Sequence, residues 1–336
     1  MKDNSFQSLL QRFFLDRLIN QMKASPCTIQ TYKYTFRLLL KYMSFECNLT
    51  PDIIRMEDIS ADRICGFLNY LEISRNNTAK SINNRLAAIK SFGEYVSYEC
   101  PEYLDIIRKI KMIPFRKVIK KVICYLTREE IDCILESCDL STKEGKRDYM
   151  MILLLYNTGM RVSEMLNLKG KDVEIFGRKK FSVRIMGKGR KERIVPLWSN
   201  TCEYLNKYIK DNKIDSESFI MSGRNVEHLT RSGVRYRLDT IVKRATSKCQ
   251  SLETKTITPH VFRHSTAMGL LQSGVDLSTI AIWLGHESIE TTHKYMVADI
   301  NLKENALSKL YEPTGNNNNF KKYKPSSDIL NFLNTL

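Results

Sequence analysis

Four short segments carry side chains whose types and spacing could bind an anion and move a proton. In YNTGMRVSEMLNL, Arg161 follows a glycine at the end of an apolar run. In IMGKGRKERIVPL, Lys188 stands between Gly187 and Gly189, so a tight turn can carry it at its tip, with Arg190, Lys191 and Arg193 behind it. A cationic β-turn of that kind suits entry into a groove. In ITPHVFRHSTAMGLLQSG, Thr258 and Pro259 open a helix as N-cap and first residue, which puts His260 and Arg263 three apart on one face of its first turn. Main-chain N–H groups and the helix dipole make such an end an anion site; His264 is read as facing elsewhere, in a structural role. In AIWLGHESIETTHKYM, Gly285 ends one helix and Ser288 caps the next, with His286 after the glycine, Tyr295 on the second helix and His293 turned away. Taken singly, each has an ordinary alternative: a surface arginine, a solvated hairpin turn, a capping histidine, a core aromatic.

Together, the order Arg161, Lys188, His260-x-x-Arg263, His286, Tyr295 resembles the active site of the tyrosine recombinases, the phage integrase family. The motifs TGMRVSE, GKGRKER, HVFRH, LGH and Y occur in the family's order between residues 126 and 310, with no member missing. More weakly, the N-terminal helices resemble that family's core-binding domain. The resemblance implies phosphoryl transfer by a covalent route. A tyrosine hydroxyl attacks a DNA phosphodiester to give a 3′-phosphotyrosine and a free 5′-hydroxyl, and a 5′-hydroxyl of the partner duplex reverses the step. One ester replaces another, so neither a cofactor nor a metal is called for. A phenol titrates near pH 10 and is a poor nucleophile at neutrality. In this scheme the surrounding cations favour its phenolate and His260 accepts its proton. Arg161 and Arg263 bind the phosphorane, His286 donates to a non-bridging oxygen, and Lys188 protonates the leaving 5′-oxygen. Glu164, one helical step beyond Arg161, holds the cluster as a neighbouring acid; on its own it reads as well as a solvated carboxylate.

The rest of the chain has to position these groups. Its 336 residues exceed one compact core of ordinary size, so two domains are expected. Ile29, Tyr32, Phe36, Leu39, Leu40 and Met43 recur at helical spacing after Thr28, read as an N-cap. A second helix turns Ile82, Leu86, Ile89, Phe92 and Val96 inward and shows Lys80, Asn83, Asn84 and Ser91 on its other face, with Lys90 at the flank. That face is either solvated or laid on DNA, where lysine contacts phosphate and asparagine can read adenine. Residues 109–121, KIKMIPFRKVIKK, hold six cations, one proline and no acid, and read as a linker that tracks a phosphate backbone through Lys111, Arg116, Lys117 and Lys120. Thr127 then caps a helix with Glu129 and Glu130 in its first turn. Residues 149–156 form a buried helix, short strands follow, and helical patterns return at 199–210, 231–245 and after 258. The expected fold is mainly α with a small antiparallel β-sheet. Its parts are an N-terminal helical, SAM-like core-binding domain (1–108), a basic linker (109–125), a catalytic domain (126–314) and a tethered C-terminal helix (315–336).

That last helix carries Ile329, Leu330, Phe332, Leu333 and Leu336 as an apolar stripe on a flexible tether. It wants a groove, and the resemblance implies that residues 327–336 dock on a neighbouring protomer of a tetramer on synapsed DNA, the free protein being a monomer or weak oligomer. The 53 basic against 37 acidic side chains, a formal charge of +16, suit a polyanionic partner, double-stranded DNA in the first place. Nine cysteines, odd in number and without a CxxC pair, read as reduced thiols, and no long apolar run or secretory leader is evident. The setting expected is the bacterial cytoplasm, in association with the nucleoid. The sequence leans towards integration, excision or transposition of a mobile element. The alternatives are Xer-type dimer resolution, type IB topoisomerase-like relaxation, and an integrase-derived DNA-binding regulator, which would have lost a catalytic residue.

Overall fold

A computed structural model describes residues 4–118, 123–176, 180–187, 191–223, 228–286, 288 and 290–298. The chain divides into two compact units, residues 1–121 and 122–336. Among the described residues no helix is long and apolar enough to cross a membrane.

The first unit is helical throughout. Helix α1 (Phe6–Arg12) runs on through a wider π-helical stretch (Phe13–Gln21), and α2 (Pro26–Glu46), α3 (Ala61–Ile73), α4 (Ala79–Glu99) and α5 (Leu104–Met112) follow. Phe36, Leu39 and Met43 of α2 and Ile82, Leu86, Ile89, Phe92 and Val96 of α4 are buried as their spacing requires, while Ile29, Tyr32 and Leu40 are half-buried. Phe13 sits at the centre, its ring 5.4 Å from Phe92 and 6.3 Å from Phe36, both edge-on, the arrangement that aromatic quadrupoles favour. Two expectations change here. The N-cap of α2 is Ser25, whose hydroxyl accepts from the Thr28 N–H, with Pro26 in the first turn; the preformed φ of proline moves the cap three residues before the one read at Thr28. Residues 109–112 are not linker. They end α5, whose Ile107 and Ile110, with Ile113 just beyond, are buried in this unit's core.

In the second unit, Thr127 and Glu130 form a reciprocal capping box at the start of α6 (Arg128–Glu136). Helix α7 (Lys143–Thr158) is buried nearly all round through Met150, Met151, Ile152, Leu154 and Leu155 and is the axis of the core. It packs against α9 (Ser199–Asp211) and α11 (Pro259–Gln272). Short α8 (Val162–Leu166) leads into a three-stranded antiparallel sheet in sequence order, β1 (Val173–Phe176), β2 (Lys180–Met186) and β3 (Glu192–Pro196). Its register pairs Val173 with Val183 and Val183 with Val195, so Val183, Ile185 and Val195 form one buried face. Helix α10 (Arg231–Ala245) covers α6 and α8. Helices α12 (Leu277–Leu284) and α13 (Glu290–Ala298) close over α11 around Ala267, Met268, Leu271, Ile280, Leu284 and Tyr295. The tethered C-terminal helix expected at 315–336 lies outside the described residues.

Candidate active site

The site grows from three helix ends. Helix α7 stops at Gly159, which has φ +61°; a Cβ there would lie 2.5 Å from Leu284 Cδ2. Only glycine meets both demands, and it lets α12 come close. Two residues on, Arg161 is the N-cap of α8, and Glu164 reaches back to it: the Arg161 N–H donates to Glu164 Oε2 (2.9 Å) and its guanidinium to Oε1 (2.8 Å). The same guanidinium donates to the Gly285 carbonyl at 3.5 Å. From β3, Arg193 donates to Glu164 Oε2 at 2.6 Å and to the Trp283 carbonyl at 3.0 Å. Burial on its own would raise the Glu164 pKa, but the hydrogen bond and charge of Arg193, with the bonds from Arg161, hold it below the ordinary carboxylate value.

Arg263, on α11, is buried and donates to the Gly159 and Leu284 carbonyls, each at 2.7 Å. It thus ties the C-terminal ends of α7 and α12 together, where the helix dipole favours a cation. Burial first, then the like charges of Arg161 and Arg193, bring its pKa down to about 10, with Glu164 opposing. Arg161 and Arg263 are therefore fixed to consecutive carbonyls of the turn that His286 follows. A cavity of about 350 Å³ opens beside this turn, lined by Arg161, Gly187, Lys191, Arg193 and His286 among others.

Tyr295 comes to the same place from α13, whose start is held by the Ser288 hydroxyl accepting from Glu290 N–H (3.1 Å). Its side chain is fully buried. The hydroxyl lies 2.9 Å from His264 Nδ1, and the His286 ring stacks nearly parallel at 6.4 Å. Burial pushes the phenol up to about 12, against the pull of Arg263. Nδ1 of His286 is 2.8 Å from the hydroxyl of buried Thr292, which fixes the ring's orientation.

The structure brings Arg161, Glu164, Arg263, His286 and Tyr295 together. It corrects the reading of His264, which stands against the hydroxyl of Tyr295, while His260 is exposed in the first turn. The reason is the helix itself: residues four apart share a face, so His264 sits one turn behind His260 rather than turning away. Lys188 and Arg190 lie outside the described residues; flanking Gly187 and Lys191 close the β2–β3 hairpin through a 2.8 Å main-chain bond. Arg193 escaped the sequence reading because it was taken as one more cation of the turn. The alternation of β3 carries the signal, since Arg193 shares the inward side with Val195.

Of the residues expected on DNA, Lys80, Lys111 and Lys117 are exposed, and Lys120 lies outside the described residues. Three others have structural partners within the first unit. The Asn83 amide donates to the Arg116 carbonyl (2.9 Å) and accepts from its N–H (2.8 Å). Lys90 donates to the Ile113 carbonyl at 2.6 Å and lies 4.6 Å over the Phe115 ring. Arg116 pairs with Glu72 (2.6 Å) and Asn69 (2.7 Å). Chain around Pro114 cannot join a regular ladder, so its main-chain groups take side-chain partners from α4.

Comparison with known proteins agrees with this geometry. The phage integrase family model matches residues 124–301, and the model of the phage integrase N-terminal SAM-like domain matches residues 11–99. A Sinorhizobium fredii (strain NBRC 101917 / NGR234) protein named integrase/recombinase y4rC is 39% identical over 335 residues, covering 100% of this chain and 99% of its own. Tyrosine recombinase XerD of Listeria monocytogenes serotype 4b (strain F2365) is 31% identical over 87% of this chain and 95% of its own. Among solved structures, the Tn1549 transposon integrase in complex with circular intermediate DNA has the same fold (TM-score 0.67, 17% identity, 90% of this chain and 99% of that one). So does XerH recombinase bound to its difH substrate (TM-score 0.65, 23% identity, 90% and 83%).

Proposed function

The chain belongs to the phage integrase family and is a site-specific DNA recombinase, and from that premise we propose how its own side chains cut and rejoin a strand. The nucleophile is Tyr295. Its oxygen attacks the scissile phosphorus, the bond from phosphorus to the 5′-oxygen breaks, and the 3′-phosphate is left on the tyrosine. Arg161 and Arg263 bind the non-bridging oxygens as charge builds on them, and His286 donates a further hydrogen bond. Lys188 gives its proton to the departing 5′-oxygen. His264 holds the phenol in place before DNA arrives, and exposed His260 takes the phenolic proton when Tyr295 turns out to the substrate. Glu164 keeps Arg161 extended.

One observation carries this reading: two arginines are pinned to adjacent carbonyls, Leu284 and Gly285, immediately before His286 and beside a buried tyrosine. Mutual repulsion makes such a cluster costly unless an anion is its ligand, and Glu164 neutralises only part of it. The partner is duplex DNA, and synapsis in a tetramer, with residues 327–336 docking on a neighbouring protomer, completes the assembly in a bacterial cytoplasm. The biological use proposed is integration, excision or transposition of a mobile element. Nicked suicide DNA tests the chemistry. Wild-type protein should become covalently attached at the 3′-phosphate and Tyr295→Phe should bind without attaching; an adduct with that variant removes Tyr295 from the role. Strand exchange between two marked duplexes separates a recombinase from an enzyme that only relaxes supercoils.

A further inference from the structure

We infer that Arg193 is a positioning residue for the cleavage step, setting Arg161 and the turn before His286 in register. This rests on the assignment of Arg161 and His286 to the scissile phosphate. Arg193 comes from β3 with its side chain 8% exposed. Nothing about an arginine requires such burial on a strand; it is held there by two directional contacts. One terminal nitrogen donates to Glu164 Oε2 at 2.6 Å, and Nε donates to the Trp283 carbonyl at 3.0 Å. The side chain also fills the space beside Gly285, where a Cβ would meet its guanidinium at 3.0 Å. It therefore touches a carboxylate that fixes Arg161 and the main chain that leads into His286.

The carboxylate is the coupling element. Glu164 meets Arg161 at 2.8 Å through Oε1 and at the main-chain N–H through Oε2, so two cations share one buried anion. Without Arg193 the carboxylate loses its shortest bond, the Trp283 carbonyl loses its donor, and the space under Gly285 empties. Arg161 then follows Glu164, and the 283–285 turn, which carries the Arg161 and Arg263 acceptors, is freed to shift. Displacements of this kind, near 1 Å and away from the reacting atoms, cost about 100-fold in rate. Lysine keeps the charge but not the planar fork that spans Glu164 and Trp283, so it is a partial substitute.

The test is single-turnover adduct formation on nicked suicide DNA by the full chain, with DNA affinity measured beside it. Arg193→Met should bind DNA within about 3-fold of wild type, cleave about 100-fold more slowly, and be outperformed by Arg193→Lys. Because Arg193 acts through Arg161 as well as through the 283–285 turn, the double variant Arg161→Ala/Arg193→Met should lose less than the product of the two single losses, with Arg193→Met costing at least about 3-fold less in the Arg161→Ala background than in wild type. A purely structural role would instead add its own loss to that of Arg161. The inference is overturned if Arg193→Met cleaves within about 3-fold of wild type, or if the two losses multiply. Should the methionine variant not fold, Arg193→Lys alone and with Arg161→Ala decides by the same two criteria. Failure of wild type to form an adduct, or an adduct with Tyr295→Phe, would count against the proposed function and not against Arg193.

Discussion

His264→Phe separates two roles that the geometry of Tyr295 allows. The change removes the ring nitrogen 2.9 Å from the hydroxyl and keeps a ring in the edge-on contact at 5.6 Å. If His264 holds the nucleophile in store, the loss destabilises the stored state by the net value of one hydrogen bond, about 0.5–1.5 kcal/mol. That shifts the balance between stored and released tyrosine by roughly 2- to 13-fold towards release. Release itself matters, because burial pushes the phenol up to about 12. At pH 8 a phenol of that pKa is ionised about 1 part in 10,000, against about 1 in 100 for one at its ordinary value. Single-turnover adduct formation on nicked DNA at saturating protein should thus hold steady or rise by up to about tenfold in His264→Phe. His264→Asn, which keeps an acceptor near the Nδ1 position, should stay near wild type. A general base, by contrast, contributes about 100- to 10,000-fold. A loss of that size in His264→Phe, in protein that still melts cooperatively and binds DNA, would show that His264 and not His260 takes the proton.

Glu164→Ala leaves Arg193 buried without its carboxylate, a change worth about 3–5 kcal/mol, and the melting temperature should fall by roughly 6–20 °C; a fall under about 2 °C would mean that the pair contributes little. Since the folded Glu164 pKa is depressed, its stabilisation is present above the unfolded value and is lost as pH falls through the folded one, so Glu164→Gln should flatten the stability loss below about pH 4 in urea titrations. Asn83→Ala removes both bonds to the Arg116 main chain, and limited trypsin digestion should cut after Arg116 or Lys117 about tenfold faster; unchanged cleavage would show that Lys90 and the Arg116 side chain suffice. Burial pushes the Cys138 thiol up to about 12, so iodoacetamide at pH 8 should label exposed Cys27 and Cys65 while Cys138 reacts only on unfolding, as peptide mapping would reveal. Lys80→Gln and Lys111→Gln should each lower the slope of log affinity against log salt by about 0.9, whereas Arg116→Gln should leave it nearly unchanged.

Sequence alone predicted what rests on local rules. The Thr127 cap, the bounds of α10, the buried run of α7 and the hairpin strands all follow from caps, period and turn residues, and the structure holds them where expected. Arg161, Arg263, His286 and Tyr295 were identified from their order in the chain, and fold into one cluster. The misses have two causes. Asn83 and Lys90 lie on a helix face that is polar in sequence, and nothing in that face tells that the chain at 113–116 returns to cover it. Arg193 was grouped with its neighbours in the turn, although the strand period puts it with Val195. His264 was misplaced by overlooking the four-residue step from His260. The first error needed tertiary information; the other two were readable from spacing.

The formal charge of +16 first pointed to DNA, yet part of that charge is committed to partners within the protein. Arg63, Arg85, Arg116, Arg193, Arg237 and Arg263 spend their forks inside the protein, on carboxylates or main-chain carbonyls. A planar, weakly hydrated guanidinium can be buried and can bridge two acceptors at once, which is what joining helix ends and strands requires. Lys80, Lys111 and Lys117 remain in solvent, as strongly hydrated ammonium groups prefer. Net charge therefore overstates the cations available to phosphate, and the arginines at the catalytic cluster serve both purposes. Arg263 and Arg161 hold the 284–285 carbonyls before DNA arrives, so their positions are set by the fold rather than by the substrate. A cation already fixed by the protein loses little freedom on meeting a phosphate, and this preorganisation lets it favour the more highly charged transition state.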